Sequence, residues 1–439
     1  MRPWRIPILT SKRTLRALST SFRAKFEDEG SWSYSPEWWG SDSDHHSRSV
    51  FQANSLHGNG VVSVLAYRSS IPFPRQDSVG RFQFLNENTW WRTEDWLRKR
   101  YAEVCSDSKH DEDFKVLGYQ WRVLRFNDAT RQSAVKVMLA SKVSDPSSVC
   151  YMQQPHVLAV PYTKSMVVAG LTALSSTDYD LRTAITGKQT MRVLCIGHGG
   201  GSLPLFLASK IQGALVDIVE IDPLVITTSI KAMGFPSFSV AVPPGHHVVP
   251  KPNTMDEVLW KGIHERLFLY ESDAEKFILN TENKYDIIFI DAYDGDDIFP
   301  HKLRDPESPF LIALGSRLHP YHGTVVVNLH SDDDVLCEDA SIMPIGKYVS
   351  RVLQAYKDML LGDKKSSGRQ KLPGVGFVVS VPWLCNTTLV VSRGLSAAVG
   401  SLDQDSVLNV LYSKALDINR DLNMPFSCLQ YLKRGFILG

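Results

Sequence analysis

The chain is poor in cysteine and lacks every paired-cysteine spacing. Cys105, Cys150, Cys195, Cys337, Cys385 and Cys428 are scattered over 439 residues with no C-x-x-C. This argues against a disulfide framework or a cysteine zinc site and reads as reduced core thiols. There is no apolar run of 18 residues or more, so no transmembrane helix and no membrane partner are expected. Excess charge is also missing: 48 Lys+Arg balance 47 Asp+Glu, for a net +1. Composition therefore offers no electrostatic case for nucleic acid. Hydrophobic residues make up 43% and charged residues 22%, as in an ordinary globular protein. One absence is local. Met1–Phe26 holds Arg2, Arg5, Lys12, Arg13, Arg16, Arg23 and Lys25 but no acid, the first being Glu27. An Arg- and Ser-rich, acid-poor start without an apolar h-region has the composition of a transit peptide. Residues 1–30 are expected to target a mitochondrion or chloroplast, with the cytoplasm the alternative if this is only a basic tail.

Against these absences stands one rich stretch, Met191–Asp222. An apolar run (Val193, Leu194, Ile196) breaks into Gly197, Gly199, Gly200 and Gly201; a helical segment follows, then a second apolar run ending in Glu220. This is the layout of a nucleotide-type site at the first β-α-β unit of a doubly wound sheet. Glycine allows close backbone approach and positive φ, and the helix start offers free N–H groups. The spacing is neither G-x-G-x-x-G, since Ser202 stands where the last glycine belongs, nor a P-loop, since no Gly-Lys-Ser/Thr follows. The 23 residues from Gly197 to Glu220 suit either NAD or S-adenosylmethionine.

Two further pieces follow in order. Leu267–Glu271 reads as a third strand leading to Asp273 and Ala274. Ile287–Ile290 reads as a buried fourth strand that runs into Asp291, Tyr293, Asp294, Asp296 and Asp297. Parallel strands buried on both faces read as continuous apolar runs, and their ligands bind beyond the strand C-termini. The glycine loop, Glu220, Asp273 and Asp291 should therefore converge on one crevice.

These strings resemble the spermidine-synthase-like branch of class I S-adenosylmethionine-dependent methyltransferases. The likeness runs roughly from Gln120 to Gly394 and includes Val219-Glu-Ile-Asp-Pro223 and Tyr285-Asp-Ile-Ile-Phe-Ile-Asp291-Ala-Tyr-Asp-Gly-Asp. The G-G-G-S-L-P-L-F string is similar to the C-terminal domain of the elongation-factor-1-alpha lysine and N-terminal methyltransferases. The resemblance implies that Gly197, Gly199, Gly200 and Gly201 shape the methionine side of the cofactor site. It implies that Glu220 binds the ribose, that Asp273 with the Ala274 N–H reads adenine, and that Gln132 lies near the cofactor. Asp291 falls where aminopropyltransferases hold an acid that orients or deprotonates an amine, with Tyr293 and Asp294 beside it as further catalytic candidates. Those synthases also carry a loop aspartate that holds an ammonium group, and here that position is Gly200, which favours methyl transfer.

The fold expected is α/β, a doubly wound seven-stranded methyltransferase sheet with a small N-terminal β annex. Its divisions are a targeting segment over 1–30, an annex with an aromatic helix over 31–118, a β-hairpin region over 119–190 and the cofactor domain over 191–439. Trp90, Trp91 and Trp96 are read as annex packing rather than base-stacking groups. The proline-rich insertion Phe235–Lys261 is read as surface decoration, and its His246-His247 pair lacks a third ligand, so no metal is expected. The acidic loop lacks the alternation of an EF-hand; it is either a solvated turn or a lure for a cationic amine. The leading activity is methyl transfer to an amine, on a small molecule or on a protein lysine or N-terminus, with two alternatives: aminopropyl transfer and a silent cofactor-binding scaffold. The resemblance further suggests a homodimer.

Overall fold

The computed structural model describes residues 47–69, 75–76, 82–83, 90–105, 112–127, 130–237, 240–241, 254–330, 346–362, 372–381, 385–395 and 403–439. The expectations for residues 1–30 and the His246-His247 pair lie outside them.

The N-terminal part is one antiparallel sheet. It comprises β1 (Arg48–Asn54), β2 (Val61–Ser69), β3 (Phe114–Phe126), β4 (Thr130–Lys142) and β5 (Val149–Gln153), in that spatial order. Helix α1 (Trp91–Val104) packs on it, burying Leu97 and setting Trp90 edge-on to Tyr119 at 6.3 Å. Trp90 and Trp96 pack against the core, as the sequence suggests, whereas Trp91 is 57% exposed and corrects that reading. A division at 118/119 is corrected, because β3 runs straight through it and pairs with both β2 and β4.

Two helices, α2 (Pro161–Ser175) and α3 (Leu181–Ile185), lead into the large sheet. The α/β alternation then reads β6 (Met191–Ile196), α4 (Ser202–Lys210), β7 (Ala214–Glu220), α5 (Pro223–Met233), β8 (Val240–Ala241), α6 (Thr254–Trp260), β9 (Leu267–Glu271), α7 (Ala274–Asn280), β10 (Ile287–Ile290), α8 (Pro309–Arg317) and β11 (Thr324–His330). It closes with α9 (Lys347–Leu361), β12 (Gly374–Ser380), β13 (Asn386–Arg393), α10 (Gln404–Asp421) and β14 (Ile437–Leu438). The spatial order is β8-β9-β7-β6-β10-β11-β13-β12-β14. Strands β8 to β11 pair in parallel, and β13 enters antiparallel between β11 and β12. Without the two-residue edge strands β8 and β14, this is the expected seven-stranded doubly wound sheet with its antiparallel last pair.

Burial explains the strand sequences. All four residues of β10 are fully buried, as a central parallel strand covered on both faces requires. Helix α2 is buried along almost its whole length between the sheet and α10, which accounts for its lack of a polar face. Its packing on β10, β11 and β13 also places it with the large sheet, so a boundary at 190/191 falls too late. The insertion is corrected as well. Phe235 and Trp260 at its two ends are core residues, 3% and 1% exposed, and α6 is the element on which α1 packs.

Arg393 ties the far side together. It is 5% exposed and donates to the Gly315, Leu318, His319 and Leu360 carbonyls at 3.0–3.3 Å. These lie at the C-terminal ends of α8 and α9, where carbonyls are orphaned and the helix dipole favours a cation. Burial lowers the guanidinium to about 10, and it remains charged at neutral pH. Arg393→Met should destabilise the fold by about 3 kcal/mol, because it strands those carbonyls. Urea unfolding measures this, and a loss under 1 kcal/mol would contradict it.

Candidate active site

The strand order reverses between β6 and β10, and the crevice opens there, beyond the strand C-termini. Gly197, immediately after β6, has φ 89°, and a Cβ on it would lie 2.0 Å from the Asp291 carbonyl oxygen. Only glycine fits. Gly201, at φ 75°, caps α4. Gly200 points the other way, into the annex: its Cβ would meet Ser133 Oγ at 2.7 Å and Met233 Cε at 2.8 Å. A side chain at that position would have to displace the Ser133 hydroxyl and the end of Met233.

The cleft brings together Gln132, Gly197, Gly199, Glu220, Asp273, Ala274, Asp291, Tyr293 and Asp294. Gly200 and Gly201 form the back of the loop rather than the cleft wall. Glu220 ends β7, and its two oxygens accept the His198 and Asp222 N–H groups, each at 3.0 Å. Burial raises its carboxyl, and these backbone donors partly offset the rise.

Asp273 caps α7 through the Glu275 and Lys276 N–H groups. Its other oxygen is bound by the Lys302 ammonium. Burial pushes this carboxyl up, but Lys302 and the capping amides outweigh it, and the net shift is down. Lys302 is a partner that the sequence does not reveal.

Asp291, directly after β10, is oriented by a chain of amides. Asn386 Nδ2 donates to Asn328 Oδ1 at 3.1 Å, and Asn328 Nδ2 donates to Asp291 at 2.9 Å. The Tyr162 hydroxyl, which donates to the Gln132 carbonyl at 3.1 Å, also lies within hydrogen-bond reach of Asp291. Burial raises the Asp291 carboxyl above its usual range, and the Asn328 and Tyr162 bonds hold it back.

Tyr293 and Asp294 line the cleft, and the Tyr293 hydroxyl and one Asp294 oxygen carry hydrogen bonds within the fold. The Tyr293 hydroxyl donates to the Asn328 carbonyl and accepts the His330 N–H, at 3.1 and 3.0 Å. Asp294 accepts the Asp296 and Ile298 N–H groups at 3.0 and 2.9 Å. Both groups help to shape the acidic loop beside Asp291.

The annex contributes residues that sequence reasoning missed. The β1–β2 turn reaches over the crevice, and His57 and Asn59 line it. Ser55 Oγ and Asn59 Nδ2 donate to Asp222 Oδ2 at 2.5 and 2.7 Å, while Asp222 Oδ1 caps α5. Asn127, in the β3–β4 turn, donates to the Gly295 carbonyl at 3.1 Å. No local motif marks these pairs, since each joins residues more than 160 positions apart.

With the geometry in hand, the chain can be compared with known proteins. No protein-family model matches it. Over 78 residues, 18% of the chain, it is 37% identical to the mouse eEF1A lysine and N-terminal methyltransferase, and the match spans 10% of that relative's length. Human methyltransferase-like protein 13 in complex with SAH aligns at 20% identity over 60% of this chain and 93% of its own, TM-score 0.38. A probable spermidine synthase from Corynebacterium glutamicum aligns at 16% identity over 69% and 85%, TM-score 0.38. Sheet order and crevice define a doubly wound α/β protein with an antiparallel last strand pair. The mouse sequence match agrees with the resemblance to the spermidine-synthase-like branch.

His198 yields a pH prediction. It is 6% exposed, and burial pushes its imidazole down from 6.5 to about 3. Ser229 Oγ donates to the Ile226 carbonyl, so it accepts from His198 Nε2–H at 2.7 Å. The folded state keeps this ring neutral while the unfolded chain protonates below pH 6.5, so stability is lost as pH falls through 6.5 toward 3. Between pH 7 and 5 the loss should be about 2 kcal/mol. Unfolding titrations at both pH values should show this loss shrinking in His198→Gln; an unchanged loss would exclude His198 as its source.

Proposed function

We propose that this chain is an S-adenosylmethionine-dependent methyltransferase acting on an amine, a protein lysine or N-terminus in the first instance and a small amine otherwise. The observation that carries the reading is Asp291: a half-buried carboxylate at the switch point, oriented by two asparagines and lining the glycine-loop crevice. The residues present suit the cofactor. Gln132 Nε2 is buried without a hydrogen-bond partner among the described residues, in the cleft wall. Beside Gly199 the space is open, with only Ser133 near, at 3.6 Å. Glu220 stands ready for the ribose hydroxyls, and Asp273 with Ala274 N–H for adenine.

When bound, S-adenosylmethionine supplies an electrophilic methyl group. Asp291 would then accept an N–H of the incoming amine, direct its lone pair and take up its proton. Its raised affinity for protons suits a general base. Positioning supplies most of the remaining acceleration. The β1–β2 turn limits water access to the crevice. Aminopropyl transfer is the lesser reading, because Ser133 and Met233 crowd the loop position where those enzymes carry an acid. A silent scaffold would have no use for the amide chain that orients Asp291.

Isothermal titration of the protein with S-adenosylmethionine and with its decarboxylated form tests the proposal. The carboxylated cofactor should bind more tightly, and Glu220→Ala should weaken it at least tenfold. Asp291→Asn should bind cofactor within about threefold of wild type, yet lose roughly 100-fold or more in turnover once an acceptor is found. Preference for the decarboxylated form would turn the reading to polyamine synthesis, and binding of neither would refute both. Two companion proposals are organellar targeting by residues 1–30 and a homodimer. A reporter fused to residues 1–30 that stays cytoplasmic would refute the first, and a monomeric mass in solution the second.

A further inference from the structure

A second group of ligand-type side chains lies at the opposite end of the sheet. Asp286 directly precedes β10, and His319 and His322 lie in the turn between α8 and β11. Because Ile287 pairs with Thr324, the heads of β10 and β11 bring them together. One ligand atom from each residue lies within 4.8 Å of the other two. His322 Nε2 is 2.7 Å from Asp286 Oδ1, and the His319 and His322 rings stack with centroids 3.6 Å apart. The other Asp286 oxygen accepts the Arg192 N–H at 2.7 Å, which anchors the carboxylate to the head of β6.

Tyr179 closes the group. Its ring lies 4.8 Å from that of His322, and the residue is only 5% exposed. Its hydroxyl is buried with no hydrogen-bond partner among the described residues. A buried hydroxyl without a partner carries a desolvation cost, and such a group signals a missing ion or water. Nothing in the crevice chemistry uses these four residues, which sit at the far ends of the strands that carry Gly197 and Asp291.

We propose that Asp286, His319 and His322 bind a divalent cation of zinc type, with the Tyr179 hydroxyl facing the fourth position. Two imidazole nitrogens and one carboxylate oxygen are a donor set suited to zinc. The stacked rings need only rotate about their side-chain bonds to turn one nitrogen each toward the ion. The carboxylate's second oxygen stays on the Arg192 amide, an outer contact that fixes the ligand's direction. The role is structural: the ion would clamp the heads of β6, β10 and β11. No spacing motif flags the site, because Asp286 lies 33 residues before His319.

The test uses the full chain, stripped with a chelator and titrated with zinc chloride by calorimetry. Cobalt(II) replaces zinc in a parallel titration followed by visible absorption. One equivalent should bind, with a cobalt spectrum of tetrahedral intensity. His319→Ala/His322→Ala should weaken binding at least 100-fold while S-adenosylmethionine binding and circular dichroism stay as in wild type. His264→Ala, which removes the separate Glu257–His264–Glu265 group, should leave zinc binding unchanged. If the double variant misfolds, His319→Gln at the more exposed ligand should still weaken zinc and change the cobalt spectrum. No zinc binding by wild type, or undiminished binding by the histidine variants, would overturn the proposal. Because the readout is metal binding, it stands or falls separately from the methyltransferase reading.

Discussion

Two backbones meet at the switch point of the sheet with no room for a side chain between them. The Asp291 amide donates to the Ile196 carbonyl, and the Gly197 amide to the Val219 carbonyl, each at 2.9 Å. Between these bonds the α-carbon of Gly197 lies against the Asp291 carbonyl, where any Cβ would clash. That approach sets the loop beside the end of β10, against the backbone of Asp291. Glu220 is registered by the same contact, because the loop's His198 amide is one of its two donors. A substitution at Gly197 would therefore move the glycine loop and both acids at once.

Around that contact, buried charge is balanced mostly by neutral dipoles rather than by opposite ions. Glu220 is held by backbone amides, Asp291 by an asparagine chain and a tyrosine, and Arg393 by helix-end carbonyls. Removing one partner from a buried ion pair leaves an uncompensated charge, whereas a set of dipoles loses its members one at a time. Asp273 is the exception, since it pairs with Lys302 across the mouth of the cleft. Of the acids in the crevice, it is the one whose environment a ligand would most rearrange.

Much of this was legible in the sequence because the parallel strands are local and strongly patterned. Ile287–Ile290 matches its expected limits. The crevice acids were found because each one ends an apolar run. What escaped depends on long-range pairing. The β1–β2 turn over the crevice, the continuity of the annex through residue 118 and the core role of Trp260 are set by partners far away in the chain. Local periodicity cannot encode such contacts. For Tyr293 and Asp294, residue type placed them at the site, while the hydrogen bonds by which they also shape a loop are visible only in the fold.

The reach of the β1–β2 turn to Asp222 bears on how the molecule is assembled. Ser55 and Asn59 leave the ribosome some 165 residues ahead of the carboxylate that receives them. Until β7 and α5 have been made, the earliest strands of the annex have no anchor on the crevice. Closure over such a distance in sequence is slow, because much loop entropy is lost before the contact forms. The glycine loop and Glu220 can thus be in place while the roof above them is still open, making the enclosed crevice a late product of folding.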